Sequence, residues 1–394
     1  MYHSQSLDSL LKTFAQSTVP GCACVATLHG DVVYEGYHGY ADLEAKRPVD
    51  ADTVFRLFSM TKVVISTACM MLFEQGKFLL NDPLYAYFPE YRDTMKYIDH
   101  GDGTAEAVPV DHPILVKHIL SMTCGLPYGT GDADDVNASP SERDMRRVNR
   151  ALRENGPYTL REEIRRSAAV PLAFEPGTRW LYGFGSELSA GLVELLTGKP
   201  IEDALKAMIL EPLGMAGTGM HFFGDIQSRL SQLYVRGADG ALKPNTDMRL
   251  EEKHLPGKEH EYGCPRLFST ALDFSKLSRA LACGGVYNGC RLLGRKTIDL
   301  MRQNQLCPGA LQDFTSPYTA GYGYGMSVRT LMDPAAGGAN ASIGEFGWVG
   351  GAGTWVAMDP AERFSLVYMH QMLPSEEHYH HLRVRSAAFG GLSE

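Results

Sequence analysis

The 394-residue sequence lacks a long apolar run and an excess of basic charge. No apolar stretch reaches the roughly 18 residues of a membrane-spanning helix. The N-terminal segment has no basic region followed by an apolar one, so we also expect no secretion signal. The net charge of −9 disfavours binding to nucleic acid or to an anionic membrane. We therefore expect a small-molecule partner, and the sequence leaves the oligomeric state open.

Motifs for metals and dinucleotides are also missing. The eight cysteines form no CxxC pairs, which favours free thiols in a reducing compartment and predicts a cytoplasmic location. No framework of partner carboxylates or cysteines accompanies His378, His380 and His381, and we interpret them as part of an exposed polar helix. The GYGYG stretch at 321–325 lacks the spacing of a dinucleotide-binding loop. We expect neither a metal nor a cofactor.

The order of secondary-structure patterns predicts a fold of α/β class and α+β type. Residues 22–28 and 32–37 read as an antiparallel hairpin, the middle third is mostly helical, and strand-like runs return after residue 321. This order predicts a discontinuous antiparallel-sheet domain flanked by helices, made of 1–58 and 257–394, with a mostly helical domain at 59–256. A cleft between two such domains favours an active site.

Strand-like and loop-like segments fill in this outline. Asp, Gly and Pro cluster in two stretches that we expect to be long surface loops shaping a substrate cleft, at about 98–113 and 129–140. The strands of the last third are predicted at 321–328, 354–359 and 363–371.

A Ser-x-x-Lys motif, formed by Ser59 and Lys62, opens an apolar helical segment that ends near Gly76. The i, i+3 spacing places both side chains on one helix face. A lysine accepts a serine proton only when burial or positive charge lowers its pKa from roughly 10.4. The alternative, an N-cap serine and a surface lysine, conflicts with the apolar residues 63–65 that follow. We therefore predict a nucleophile and its base, beside a helix N-terminus suited to an oxyanion.

Six stretches carry a resemblance to a known family: FRLFSMTK (55–62), LSMTCGLPYG (120–129), FEPGTRWLYGFGSELSAGLVE (174–194), LFSTALDFSKL (267–277), GYGYGM (321–326) and FGWVGGAGTWVAMDP (346–360). In this order they resemble the serine β-lactamase-like superfamily, especially its class C β-lactamase and family VIII carboxylesterase branch. The resemblance covers most of the chain. It implies a β-lactamase/transpeptidase-like fold and acyl-enzyme chemistry without metal or cofactor.

The resemblance also implies roles for individual residues. Ser59 corresponds to the nucleophile, Lys62 to its partner, and Tyr182 to the tyrosine that shares proton transfer with the lysine. The third family motif becomes Trp-Val-Gly at 348–350. The backbone N–H groups of Ser59 and Gly351 are then expected to form the oxyanion hole.

Departures from the family pattern bear on the substrate. The Tyr-x-Asn of β-lactamases is Tyr-Gly-Phe at 182–184, and the cationic residue of the third motif is replaced by Trp348. Both changes remove polar recognition of an anionic amide, so we expect Phe184, Trp348 and Gly350 to contact an ester substrate. The segment 120–129 departs at two positions, and we assign it no hydrogen-bonding role.

We predict a serine hydrolase that cleaves small carboxylic esters. Alternatives of the same fold are a D-amino-acid amidase or peptidase, a weak β-lactamase, and an acyltransferase. An acylated sensor without turnover is a further alternative, but Tyr182 and the lack of an anchor segment favour an enzyme. The sequence has no Gly-x-Ser-x-Gly elbow, which excludes the α/β-hydrolase mechanism.

Overall fold

The computed structural model describes residues 2–101, 104–132, 135, 137–247, 249–257, 266–316 and 318–393. Its strands are β1 (Gly21–Leu28), β2 (Asp31–Asp42), β3 (Arg47–Pro48), β4 (Phe55–Arg56), β5 (Met95–Asp99), β6 (Ala105–Pro109), β7 (Tyr234–Arg236), β8 (Leu242–Pro244), β9 (Phe268–Ser269), β10 (Val286–Tyr287), β11 (Cys290–Arg291), β12 (Tyr322–Tyr324), β13 (Arg329–Leu331), β14 (Phe346–Val349), β15 (Trp355–Asp359), β16 (Phe364–Met369) and β17 (Met372–Leu373). Its helices are α1 (Gln5–Ser17), α2 (Thr61–Glu74), α3 (Val116–Leu120), α4 (Pro140–Glu154), α5 (Leu160–Ser167), α6 (Gly185–Thr197), α7 (Ile201–Leu205), α8 (Ile226–Arg229), α9 (Arg249–Glu252), α10 (Ala271–Ala282), α11 (Arg295–Met301), α12 (Pro308–Asp313), α13 (Pro334–Gly337) and α14 (Glu377–Phe389).

An antiparallel sheet joins the two ends of the chain. Its strand order is β12-β13-β14-β15-β16-β1-β2-β3, and β1 pairs with β16 so that Ala23 lies opposite Met369. Residues 21–27 of β1 are all buried, because α10 packs on β1 and β16 while α1 packs on β1 and β2. The predicted hairpin is confirmed, with β1 and β2 joined at His29 and Gly30 in the left-handed region. This sheet and its helices agree with the predicted α+β type.

Helix α2 lies at the centre of the molecule and follows the predicted apolar segment. Nearly all of its side chains are buried, against α6, α7, α11 and β14. Gly76, two residues after the helix, has a φ of +67°, as expected for a residue that ends a helix in the left-handed region. Among the helices of the described ranges, none has both the length and the apolar character required to cross a bilayer.

Three local expectations are wrong. The stretch expected as a loop at 98–113 contains most of a hairpin, in which β5 pairs with β6, since alternating residues of the two strands satisfy each other's backbone groups. The strand expected at 321–328 is broken into β12 and β13 by a turn in which Gly325 N–H donates to Val328 O.

The third correction concerns the C-terminal histidines. His378 is exposed, but His380 and His381 are buried, because α14 packs against α1 and places them on its inner side. His380 Nε2 lies 3.0 Å from Thr18 Oγ1, and His381 Nε2 lies 3.3 Å from Gly353 O. Cys264 lies outside the described residues. The division into 1–58 with 257–394 and 59–256 stays a prediction.

Candidate active site

Ser59 lies in a short 3-10 turn, residues 58–60, that leads directly into α2. The chain entering this turn is fixed from two sides, since Leu57 N–H donates to Leu267 O and Thr354 Oγ1 donates to Leu57 O over 2.9 Å. Phe58 has a φ of +47°, a left-handed conformation that is strained for a bulky residue and that clusters at functional sites. The turn therefore presents a half-buried serine at the positive end of a buried helix.

Lys62 meets Ser59 as the i, i+3 spacing predicts. The lysine is 1% exposed, and its Nζ donates a 3.2 Å hydrogen bond to Ser59 Oγ. The same Nζ lies 4.9 Å from the ring centroid of Tyr182 and 5.5 Å from that of Tyr128. Two aromatic rings next to an ammonium stabilise it, whereas burial disfavours its charge. The arrangement places a nucleophile, a buried amine and a phenol within one small space.

Tyr182 reaches this space because residues 181–184 form backbone hydrogen bonds with residues 122–126. Leu181 N–H donates to Met122 O over 2.9 Å, and Phe184 N–H donates to Leu126 O over 3.0 Å. A Cβ at Gly183 would collide with Leu126 O, so the close approach of the two chains requires glycine there. The predicted Tyr-Gly-Phe motif is thus placed by backbone pairing on both sides of its central residue.

Trp348 contacts Tyr182 directly. Its Nε1–H donates to the Tyr182 hydroxyl over 3.1 Å, and the two ring centroids lie 5.6 Å apart. The hydrogen bond and the ring contact together hold the Tyr182 hydroxyl in one orientation. The substrate contact expected of Trp348 stays a prediction, and the structure adds a contact between its indole nitrogen and Tyr182.

The glycines after β14 lie against the turn that carries Ser59. A Cβ at Gly350 would collide with Leu57 O and Thr354 Oγ1, whereas Gly351 is exposed and has open space around it. Across the described part of the chain, no backbone acceptor takes the N–H of Ser59 or of Gly351. Both groups are therefore available for the oxyanion hole that the sequence predicts. Gly350 allows the close approach and its predicted substrate contact stays a prediction.

A cavity of about 400 Å³ opens beside Ser59 and Lys62. Phe184, which is 2% exposed, lines it, and Phe58 and Tyr128 line it as well, while the substrate contact of Phe184 stays a prediction. Further lining residues carry charge: Arg153, Glu163, Glu187, Lys253 and Arg266. The cavity therefore combines apolar surface near the serine with charged groups around it.

Two features of this cavity were missed from the sequence. Tyr128 belongs to the segment 120–129, to which we assigned no hydrogen-bonding role, yet its hydroxyl lies 3.2 Å from Ser186 Oγ. Ser186 Oγ in turn donates to Glu187 Oε2 over 3.1 Å. A signal was present in the sequence, because Tyr128 and Glu187 both lie inside stretches on which the family resemblance depends. Glu163 lies outside those stretches, so the sequence did not point to it.

Comparison with known proteins agrees with this geometry. The Beta-lactamase family model matches residues 7–389. Esterase EstB from Burkholderia gladioli is 28% identical over 350 residues, covering 84% of this chain and 80% of EstB. Lovastatin esterase from Penicillium rubens is 30% identical over 341 residues, covering 83% of this chain and 80% of that enzyme.

Solved structures extend the likeness to nearly the full length. EstCE1, described as a hydrolase with promiscuous acyltransferase activity, superposes with a TM-score of 0.80 at 24% identity, covering 98% of this chain and 99% of EstCE1. Simvastatin synthase (LovD) from Aspergillus terreus superposes with a TM-score of 0.81 at 20% identity, covering 98% of each chain. At these identities the superpositions show a shared fold.

Proposed function

Because the chain belongs to the Beta-lactamase family, we propose that it is a serine hydrolase that cleaves small carboxylic esters through an acyl-enzyme on Ser59. The observation that carries the proposal is the 3.2 Å hydrogen bond between Lys62 Nζ and Ser59 Oγ, next to the Tyr182 ring. Nucleophile, base and second proton carrier are then within reach of one substrate carbonyl. The esterase names of two relatives support the ester as substrate.

In the proposed reaction, Ser59 Oγ attacks the ester carbonyl carbon while Lys62 and Tyr182 take up its proton. The resulting oxyanion accepts hydrogen bonds from the N–H groups of Ser59 and Gly351. The stored proton then passes to the leaving alkoxide, which departs as an alcohol and leaves an ester on Ser59. Water repeats the same steps in the second half, giving the acid and free Ser59.

The preference for esters follows from two side chains. Phe184 and Trp348 occupy the positions where β-lactamases carry an asparagine and a cationic residue, and both are nearly fully buried. A β-lactam would lose hydrogen-bond partners for its amide and its carboxylate, and each unpaired group costs about 1–3 kcal/mol. A small ester needs neither contact.

One alternative has direct support. The structural neighbour EstCE1 is a hydrolase with promiscuous acyltransferase activity. An alcohol that enters in place of water would take the acyl group from Ser59 by the same chemistry. Product analysis with added alcohol separates transfer from hydrolysis. For location we propose the cytoplasm, which the cysteine pattern supports and which cell fractionation tests.

The decisive experiment replaces Ser59 by alanine. We expect Ser59→Ala to abolish ester turnover and covalent labelling by an alkyl phosphonate, read as intact mass, while circular dichroism stays unchanged. The matched control is Ser9→Ala, which changes an exposed serine on α1 and should keep both properties. Labelling that persists in Ser59→Ala would show that another residue is the nucleophile.

A further inference from the structure

Two buried histidines lie against the turn 350–354, which joins β14 to β15 and carries Gly351. His370, directly after β16, is fully buried, and His381 on α14 is 2% exposed. Burial lowers the pKa of both imidazoles well below 6.5, so both rings are neutral at pH 7. Two polar rings are thus removed from water next to the expected oxyanion hole, and their presence there calls for an explanation.

His381 contacts this turn through a hydrogen bond. Its Nε2 lies 3.3 Å from Gly353 O, and since a carbonyl oxygen only accepts, Nε2 carries the proton of the neutral ring. The other nitrogen, Nδ1, is buried without a hydrogen-bond partner among the described residues. An unpartnered buried atom is unfavourable, and an apolar ring at this position would avoid it. Packing alone therefore does not explain a histidine here, whereas the bond to Gly353 does.

His370 packs against the same residue of the turn. A Cβ at Gly353 would collide with the imidazole of His370, so the ring lies directly on the backbone there. The ring itself is held at both nitrogens, because Nε2 lies 3.1 Å from Ser375 O and Nδ1 lies 3.1 Å from the Tyr368 hydroxyl. His370 is therefore a fixed surface that limits the movement of Gly353.

The other end of the turn lies against the chain that carries Ser59. A Cβ at Gly350 would collide with Leu57 O, two residues before the serine. Gly353 N–H donates to Gly350 O over 2.9 Å and so connects the two ends of the turn. Gly351 lies between these two glycines. A displacement of Gly353 therefore changes the position of the Gly351 N–H relative to Ser59.

On the basis of the proposed esterase, we propose that His370 and His381 are positioning residues that hold the Gly351 N–H in the oxyanion hole. His381 fixes Gly353 by its hydrogen bond, and His370 limits the movement of Gly353 by contact. A donor in an oxyanion hole stabilises the developing charge only from the correct distance, so a small displacement lowers kcat. Because that charge is absent from the bound ester, KM should change little.

The test replaces His381 by phenylalanine, which keeps a ring against Trp355 but removes the donor. Loss of an oxyanion-hole donor lowers kcat about 100- to 1000-fold, so we expect a displaced donor to lower kcat on a p-nitrophenyl ester about tenfold or more. His381→Gln, whose amide N–H can reach Gly353 O, should retain most of the wild-type kcat. The matched control, His378→Phe, makes the same change at an exposed position of α14 and should leave kcat unchanged.

Hydrogen exchange supplies a readout that does not depend on turnover. The amides of Gly350 and Gly353 are hydrogen-bonded within the turn, and the amide of Met372 donates to Ala352 O over 3.0 Å. We expect His381→Phe to accelerate the exchange of these amides at least about tenfold, and His381→Gln to leave it near the wild-type rate. If His381→Phe does not fold, His381→Asn replaces it, since its amide is one methylene shorter than that of glutamine and falls short of Gly353 O.

Each outcome decides the proposal. Wild-type kcat and wild-type exchange in His381→Phe would refute the positioning role. Faster exchange with an unchanged kcat would also refute it, because the histidine would then hold the turn without serving the oxyanion hole. If the wild-type protein cleaves no ester, the proposed function fails, and the exchange rates alone decide whether His381 holds the turn.

Discussion

Two groups of side chains near Lys62, an aromatic side and a carboxyl side, differ in what holds them together. On one side, Trp180, Tyr182, Phe314, Tyr324 and Trp348 pack ring against ring, with centroids 4.9 to 6.5 Å apart. On the other side, α5 and α6 bring the carboxyl groups of Glu163 and Glu187 together, and Glu163 Oε2 has no hydrogen-bond partner among the described residues. Tyr128 touches both sides, through its ring on Tyr182 and its hydroxyl near Ser186.

The difference between the aromatic side and the carboxyl side suggests different tasks for the two. Packed aromatic rings fix side-chain orientations without introducing charge, so the aromatic side sets the position of the Tyr182 hydroxyl. The carboxyl side destabilises the fold, because Glu163 Oε2 is buried without a hydrogen-bond partner among the described residues. A destabilising arrangement next to a reactive serine is expected where binding uses it. We therefore propose that the aromatic side orients the proton carriers and that the carboxyl side, which lines the cavity, contacts the substrate.

The largest effect should come from the proton carriers on the aromatic side. We expect Lys62→Ala and Tyr182→Phe each to lower kcat about a thousandfold, and the double variant to lose far less than the product of the two, because members of one catalytic unit are non-additive. Single and double variants are compared by kcat on one ester. The matched control is Tyr128→Phe, which keeps the ring over Lys62. Multiplicative losses would mean that Lys62 and Tyr182 act separately.

A smaller effect distinguishes esters from β-lactams. We expect kcat/KM for a short p-nitrophenyl ester to exceed that for nitrocefin by at least a hundredfold, or roughly 2.7 kcal/mol at 1.36 kcal/mol per tenfold. The reason is the loss of polar partners at Phe184 and Trp348. Equal rates on the two substrates would contradict the ester preference and would favour amide cleavage.

The sequence predicts the parts of the site that depend on local spacing. Ser59 and Lys62 are three residues apart on one helix, so their meeting follows from helix geometry alone, and the structure confirms it. Tyr182 lies far away in sequence, and only the resemblance to the family connects it to Lys62. Its approach depends on backbone pairing with the segment at 122–126, which no periodicity reveals.

The carboxyl side was missed for a related reason. Glu162 and Glu163 look alike in sequence, as two acids in the first turn of α5. In the structure Glu162 binds Arg165 and Arg166 at the surface, whereas Glu163 faces α6 and the cavity. His380 and His381 were misassigned as exposed in the same way, because the packing of α14 on α1 is a tertiary contact.

A tenfold effect should sharpen the role of Trp348. Trp348→Phe keeps a ring against Tyr182 but removes the N–H donor, and a net hydrogen bond is worth about 0.5–1.5 kcal/mol. We expect kcat to fall up to about tenfold, with KM nearly unchanged. Trp180→Phe is the matched control, since Trp180 also stacks on Tyr182 but donates no hydrogen bond to it. Equal effects would reduce Trp348 to a packing role.

The smallest effect concerns stability on the carboxyl side. The pKa of Glu163 is raised to about 8 in the folded protein, against roughly 4.3 in an unfolded chain, so the folded state binds its proton more tightly. The stability from this proton is complete below about pH 4.3 and is lost as the pH rises towards 8. Glutamine does not titrate, so Glu163→Gln does not undergo this loss of stability. The melting temperature of the variant minus that of wild type should therefore increase between pH 5 and pH 9. Glu162→Gln is the control with the opposite pH dependence. Arg165 and Arg166 lower the pKa of Glu162 to about 2, so the stability that its ionised carboxylate contributes is lost only in acid, below about pH 4.3. Melting curves across this range compare the three proteins. A Glu163→Gln difference that stays constant from pH 5 to pH 9 would mean that Glu163 does not release its proton in this range, and the contrast between the aromatic side and the carboxyl side would disappear.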